Sequence, residues 1–220
     1  YDSGNDRFVV SFGDGNQGGA SSGNGKSRVG QVSGTSITFG TLTQFHGGNT
    51  AYIDSTYDST SGKIVISFED FTANYGKVCI GEITAGTTNI TFGSDTKYHG
   101  NSNVTTSAVE FDPSTNRIFV AFRNWGDNNN NWGVVGQISG TSVSFGTATV
   151  TNTDAQGDIT SAYDPNSQRI SLAYYDARNN DIGKSYTVSI NPSNNTYSAS
   201  STTTFSSSVL LGTRHVYDTL

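Results

Sequence analysis

Apolar residues along this chain fall into short runs rather than helical stripes. The clearest are FVVSF (8–12), IVISF (64–68), IFVAF (118–122) and ISLAY (170–174). Read with a two-residue period, each run splits into two faces. Phe8, Val10 and Phe12 stand against Val9 and Ser11, Ile64, Ile66 and Phe68 against Val65 and Ser67, and Ile118, Val120 and Phe122 against Phe119 and Ala121. One face is bulky, while the other carries a small residue at a fixed place (Ser11, Ser67, Ala121 or Ala173). Such runs are rich in β-branched and aromatic residues and bounded by Gly, Asn, Ser and Pro, so they predict β-strands buried on both sides. No segment sustains a 3.6-residue apolar period.

The runs belong to a repeat. An aromatic-Asp pair recurs at Tyr1-Asp2, Tyr57-Asp58, Phe111-Asp112, Tyr163-Asp164 and Tyr217-Asp218, about 54 residues apart. A basic residue (Arg7, Lys63, Arg117, Arg169) follows the first four pairs and opens the apolar run, which ends near Asp14, Asp70, Asn124 or Asp176. A Gly/Asn-rich loop then leads to VGQVSG (29–34), IGEITAG (80–86) or VGQISG (135–140), and on to TSITFGT (35–41), TNITFGS (88–94) or TSVSFGT (141–147). The fourth copy keeps the alternation in SYTVSINPSNNTYSAS (185–200) but loses the Phe-Gly.

Each copy therefore predicts four short strands. A single four-stranded sheet cannot bury both faces alone, so successive copies must stack, bulky face on shallow face, at interior packing density. The expected fold is an all-β β-propeller built of four-stranded blades. It forms one repeat domain with copies at 1–56, 57–110, 111–162 and 163–216, and residues 217–220 begin a fifth copy or supply a ring-closing strand. The fifth aromatic-Asp pair leaves two readings open, a closed four-blade ring or part of a larger propeller.

Composition narrows the partners. Charged residues make up only 14% of the 220 residues, so Ser, Thr, Asn and Gly must meet solvent. With a sequence pI near 4.8 and twelve basic residues scattered singly, no phosphate-neutralising stripe exists, and nucleic acid is a poor partner. No apolar run approaches the roughly 18 residues needed to cross a bilayer as a helix, so membrane insertion is not expected. Cys79, the single cysteine, lies in an apolar strand and reads as a buried inert thiol. The chain holds no Met and begins at Tyr1, which reads as a processed product or a fragment.

The run FDPSTNRIFVAF…WGVVGQISGTSVSFGT (111–147) resembles the tandem propeller-type repeats of secreted or surface proteins of bacteria and of structural proteins of marine phages and large viruses. The resemblance covers essentially the whole chain, three copies well and the fourth loosely. It implies a propeller fold and an exposed attachment or display module on a cell or virion surface. The Ser/Thr/Asn/Gly surface agrees with an extracellular location.

Candidate chemistry is sparse. The aromatic-Asp motif, as in YDPNSQR (163–169), reads as an Asx-type turn, because four or five equivalent copies suit scaffolding better than a unique active site. Asp14, Asp70 and Asp176 would form one carboxylate per copy, but Asn124 breaks the series. Sialidase-type Asp boxes and an arginine cluster are missing, so no catalytic residue is assigned. His46 and His99 occupy matching loops and read as solvated, without a metal set. The loops GDGNQGG (13–19), GDNNNNWG (126–133) and DARNNDIG (176–183) make calcium a minor reading, since none matches an EF-hand or nonapeptide pattern.

The stronger signal is one rim of loops carrying Phe71, Asn74, Tyr75, Trp125, Asp127, Asn130, Trp132, Arg178, Asn179 and Asp181. Aromatic faces beside amides and a carboxylate suit a sugar ring, whose apolar side stacks while its hydroxyls are hydrogen-bonded. The alternative for Trp125 and Trp132 is that they fold back and pack the loop. The expected function is a non-enzymatic binding or adhesion module recognising a glycan or cell-surface receptor. A structural spacer that contacts further repeats or other copies of the chain is the main alternative, and a carbohydrate-active enzyme is the weaker one.

Overall fold

A computed structural model describes residues 1–15, 23–100, 104–210, 212–214 and 216. Among these residues the protein is all-β, with one short 3-10 turn at Trp125–Asp127. Unit 1 holds β1 (Phe8–Gly15), β2 (Gly23–Ser33) and β3 (Ser36–Phe39). Unit 2 holds β4 (Thr43–Asp58), β5 (Lys63–Asp70), β6 (Tyr75–Ile83), β7 (Ile90–Phe92) and β8 (Thr96–Lys97). Unit 3 holds β9 (Val104–Asp112), β10 (Arg117–Asn124), β11 (Asn130–Ser139), β12 (Ser142–Phe145) and β13 (Thr149–Asn152). Unit 4 holds β14 (Gln156–Asp164), β15 (Arg169–Asp176), β16 (Ile182–Asn191), β17 (Thr196–Ala199) and β18 (Thr203–Ser206).

Units 2 to 4 each run antiparallel in the order anticipated for four strands, β4-β5-β6-β7, β9-β10-β11-β12 and β14-β15-β16-β17. Two departures matter. A fifth short strand (β8, β13 or β18) also pairs with the third strand of its unit, and in unit 1 the first half of β4 does the same to β2. Because the second half of β4 pairs with β5, units 1 and 2 fuse into one eight-stranded sheet, which makes three hydrogen-bonded sheets among the described residues. Unit 1 has only the Asp2–Arg7 bridge in place of an inner strand. His215 and the Tyr217-Asp218 pair, which could have supplied that strand, lie outside the described residues.

The stacking follows the two-faced pattern. Val65, Val78 and Ile80 on the shallow side of unit 2 pack against Ile118, Val120 and Phe122 on the bulky side of unit 3. Phe119, Ala121 and Val135 meet Ile170, Leu172 and Tyr174 of unit 4 in the same way. Val9 and Val29 of unit 1 meet Ile64, Ile66 and Phe68 of unit 2. Phe68 and Phe122 are fully buried, each contributing about 2 kcal/mol from its area alone, whereas Phe12 is exposed. The inner strands β4, β9 and β14 neighbour one another in chain order.

Two further contacts hold successive units together. The glycine of each Phe-Gly lies so close to the next unit that a Cβ at Gly40, Gly93 or Gly146 would collide with the carbonyl oxygen of Thr88, Thr141 or Asn195. The basic residue after the aromatic-Asp turn reaches across the same joint. Arg7 Nε donates to the Thr87 carbonyl at 3.2 Å, and Arg117 donates to Asn195 Oδ1 at 2.7 Å and the Pro192 carbonyl at 2.9 Å. The turns themselves are Asx turns. Asp58 Oδ1 accepts from the Thr60 and Ser61 N–H groups, and Asp112 Oδ1 from those of Ser114 and Thr115.

Candidate functional site

The loops joining the second and third strands of units 2 to 4 share a rim with the starts of the inner strands. At that rim the second strand ends in a residue that caps the loop backbone. Asp70 Oδ1 accepts from the Thr72 and Ala73 N–H groups, Asn124 Oδ1 from those of Gly126 and Asp127, and Asp176 Oδ1 from that of Arg178. The carboxylates do a second job. Lys77 Nζ lies 3.0 Å from Asp70 and 3.2 Å from Asp95, Lys184 Nζ lies 2.7 Å from Asp176 and 3.0 Å from Asp154, and Lys26 pairs with Asp14. In unit 3 the lysine position is Trp132, which faces Phe122 as Lys77 faces Phe68. Asn124 keeps the cap and drops the charge because no cation stands opposite it.

The histidines are packed, which corrects the solvated reading. His46 Nδ1 is 2.7 Å from Asp95 and the ring leans on Phe68, while His99 leans on Phe122 and Trp132. Burial opposes the charge of Lys77, but hydrogen bonds to Asp70 and Asp95 outweigh it and hold the ammonium above its ordinary value. Burial also opposes the Asp70 carboxylate, and the Lys77 hydrogen bond outweighs it and holds the carboxyl below its usual range.

One step before the capping residue, the repeat diverges. Glu69, Arg123 and Tyr175 occupy equivalent places, each at the rim end of its strand on the shallow face. Glu69 is buried with Oε2 unpartnered, and burial followed by the neighbouring Asp70 charge pushes its carboxyl up to about 7. Arg123 donates to Thr105 Oγ1 at 2.9 Å and the Gln156 carbonyl at 3.0 Å, and its guanidinium lies 5.6 Å from the centre of the Trp125 ring. Gln156 is fully buried, and its Oε1 is unpartnered too. Bulges in β4 and β14 fall at this level, and in β4 the bulge spans Tyr52, whose φ is 47° and whose ring is exposed.

Between the first strands of units 2, 3 and 4 lies a cavity of about 250 Å³ whose lining includes Tyr52, Asp54, Ser107, Asp158 and Arg214. Asp54 Oδ2 accepts from the Val109 N–H at 2.8 Å, and Glu110 Oε1 accepts from Thr56 Oγ1 at 3.0 Å. Burial raises the Asp54 carboxyl and pushes that of Glu110 up to about 7, with Asp54 adding to the latter. Arg214 pairs with Asp158 at 2.9 Å. Among the described residues, no group of three or more His, Cys, Asp and Glu side chains is placed to hold a metal ion.

The ten rim residues separate into three sets. Trp125 is 55% exposed and stands over Arg123, and Phe71 is exposed as well. Trp132, Asp127 and Asn130 form a closed set in which Asp127 Oδ2 accepts from Trp132 Nε1 at 2.9 Å and Asn130 Nδ2 at 3.0 Å. Arg178 reaches Asn130 Oδ1 at 3.3 Å and so ties the loops of units 3 and 4. Asn74, Asn179 and Asp181 shape turns, Asn74 and Asp181 with φ of 58° and 55°, and Tyr75 lies beneath the Lys97 ammonium. The sequence reading missed Tyr52, Glu69, Arg123, Gln156 and Tyr175. The signal available for Glu69, Arg123 and Tyr175 is their shared repeat position, which changes charge and size while the position before it stays aromatic and the one after it stays Asp or Asn. Comparison with protein-family models and with curated proteins finds no match for the chain.

Proposed function

We propose that the four units act as blades of a propeller-type scaffold and that the protein is a non-enzymatic binding module of a cell or virion surface, taking a glycan at the axial end of its loop rim. The observation that carries this reading is the contrast between two tryptophans of one loop. Trp132 is consumed by packing and by its bond to Asp127, while Trp125 keeps an open face above Arg123. An exposed indole beside a guanidinium provides a stacking platform and hydrogen-bond donors for one sugar ring. Tyr52 and Tyr175 add aromatic edges. The axial cavity, at about 250 Å³, is smaller than the roughly 300 Å³ at which ligand pockets begin, so its carboxyls have little room for a sugar and a glycosidase is the poorer account.

A glycan array followed by calorimetric titration of the best hit tests the reading. Trp125→Ala and Arg123→Ala are expected to weaken binding at least tenfold, about 1.4 kcal/mol, while the fold is retained. An array without hits, or affinity unchanged in both variants, would remove the glycan reading. The second reading, a structural spacer, is favoured by a different observation, the uncovered outer face of unit 1.

A further inference from the structure

The bulky face of unit 1 is built like those of units 2 and 3, but among the described residues no other unit covers it. Val10, Phe12, Val32 and Ile37 are 42%, 37%, 55% and 56% exposed, whereas Ile66, Phe68, Ile83 and Ile90 at the same repeat positions in unit 2 are 0%, 0%, 4% and 3% exposed. Contiguous apolar surface of this kind marks an interaction site. The rest of the molecule shows what covers such a face: at each internal joint it is the shallow face of the preceding unit. The unpaired shallow face is that of unit 4, where Ser171, Ala173 and Ser185 line an open groove of about 460 Å³.

Two more features match the ends to each other. Arg169 is exposed at the position from which Arg7 and Arg117 clamp the next unit, so it is free to clamp a following one. The carboxy-terminal segment also stands where the inner strand of a following unit belongs. Thr213 Oγ1 donates to the Asp158 carbonyl as Ser107 Oγ donates to the Tyr52 carbonyl, the same step two units further on. Among the described residues, unit 1 is the unit without an inner strand.

We infer that the bulky face of unit 1 docks on the shallow face and carboxy-terminal segment of unit 4 of a second copy of this chain. Because the two patches differ, the contact is head-to-tail and closes a ring or extends a filament. Two substitutions make this joint looser than the internal ones. Arg28 stands in the bulky face where Cys79, Val134 and Tyr186 stand elsewhere. Ser200 stands where Gly40, Gly93 and Gly146 allow close approach, since its N–H bonds to the Thr187 carbonyl as theirs bond to Val29, Ile80 and Val135. The joint is thus reversible, unlike the interfaces within a chain.

Light scattering across a concentration series, combined with disulfide mapping, tests the proposal. The native chain is expected to give masses at multiples of the monomer as concentration rises. Val10→Asp alters only an exposed side chain and is expected to raise the dissociation constant at least tenfold with the thermal melt unchanged, while Arg28→Val with Ser200→Gly is expected to lower it. A mixture of Val10→Cys and Ala173→Cys chains is expected to form a disulfide between unlike chains, with the buried Cys79 left out. A monomer at every concentration, an assembly indifferent to Val10→Asp, or a disulfide that closes within one chain carrying both cysteines would overturn it.

Discussion

The rims of units 2 and 3 have the same backbone and opposite chemistry. In unit 2 Asp70, Asp95, Lys77 and His46 form a nearly buried ionic cluster over Phe68. In unit 3 Asn124, Trp132 and His99 form a neutral aromatic cluster over Phe122. The capping bond to the loop is retained in both, so the charge at that position belongs to the lysine across the sheet and not to a shared reaction. The scaffold asks for a cap, and each rim fills the remaining space with its own chemistry. That freedom is what allows one rim to carry an open tryptophan while its neighbour is sealed by ion pairs.

The largest break in this comparison is expected from Trp132→Ala. Removing an indole packed on Phe122 and His99 and bonded to Asp127 should cost about 3 kcal/mol in urea unfolding, whereas Trp125→Ala should change stability by less than about 0.5 kcal/mol. Equal costs would show that both tryptophans pack the loop. Next, Lys77→Met leaves Asp70 and Asp95 facing each other without a cation and should cost about 2 kcal/mol at pH 7, an effect that shrinks as the carboxylates are protonated in acid. If the cost is the same at pH 3, the cluster is not ionic.

A comparable effect concerns Glu110. Its carboxyl is pushed up to about 7 in the fold against the ordinary 4.5 of an unfolded chain, so the folded state binds the extra proton between those values and stability falls as pH rises through that window. Glu110→Gln should abolish that fall and be on the order of 2 kcal/mol more stable than the native chain at pH 8, measured as the difference between two denaturation series. Parallel pH profiles for the two proteins would contradict the burial assigned to Glu110.

Much of the scaffold was legible because side chains alternate with a two-residue period and the small residue at Ser11, Ser67, Ala121 and Ala173 marks the shallow face. The Asx turns were legible from the aromatic-Asp motif. The short strands β8, β13 and β18 were not, since segments such as Thr96–Lys97 are too short to show a pattern. Nor were the Asp–Lys pairs, which depend on cross-strand register between positions separated by a variable loop. Trp132 and Trp125 are the same residue type in one loop, and only the pairing of Trp132 with Phe122 shows which folds inward. Motif spacing does not single out Glu69 and Arg123, because it favours positions that repeat and theirs does not.

The stacking of units on one another underlies every assignment above, and a single methyl group tests it most directly. Gly93 has an ordinary backbone conformation, and what a Cβ would strike there is the Thr141 backbone and side chain of the next unit. Urea denaturation of Gly93→Ala should show a loss of about 2 kcal/mol or more, against no more than about 1 kcal/mol for Ser200→Ala at the equivalent place in the last unit, where only the exposed hydroxyl's bonds to the Thr187 N–H and the Ser201 carbonyl are lost. A Gly93→Ala protein as stable as the native chain would mean that units 2 and 3 do not meet as described.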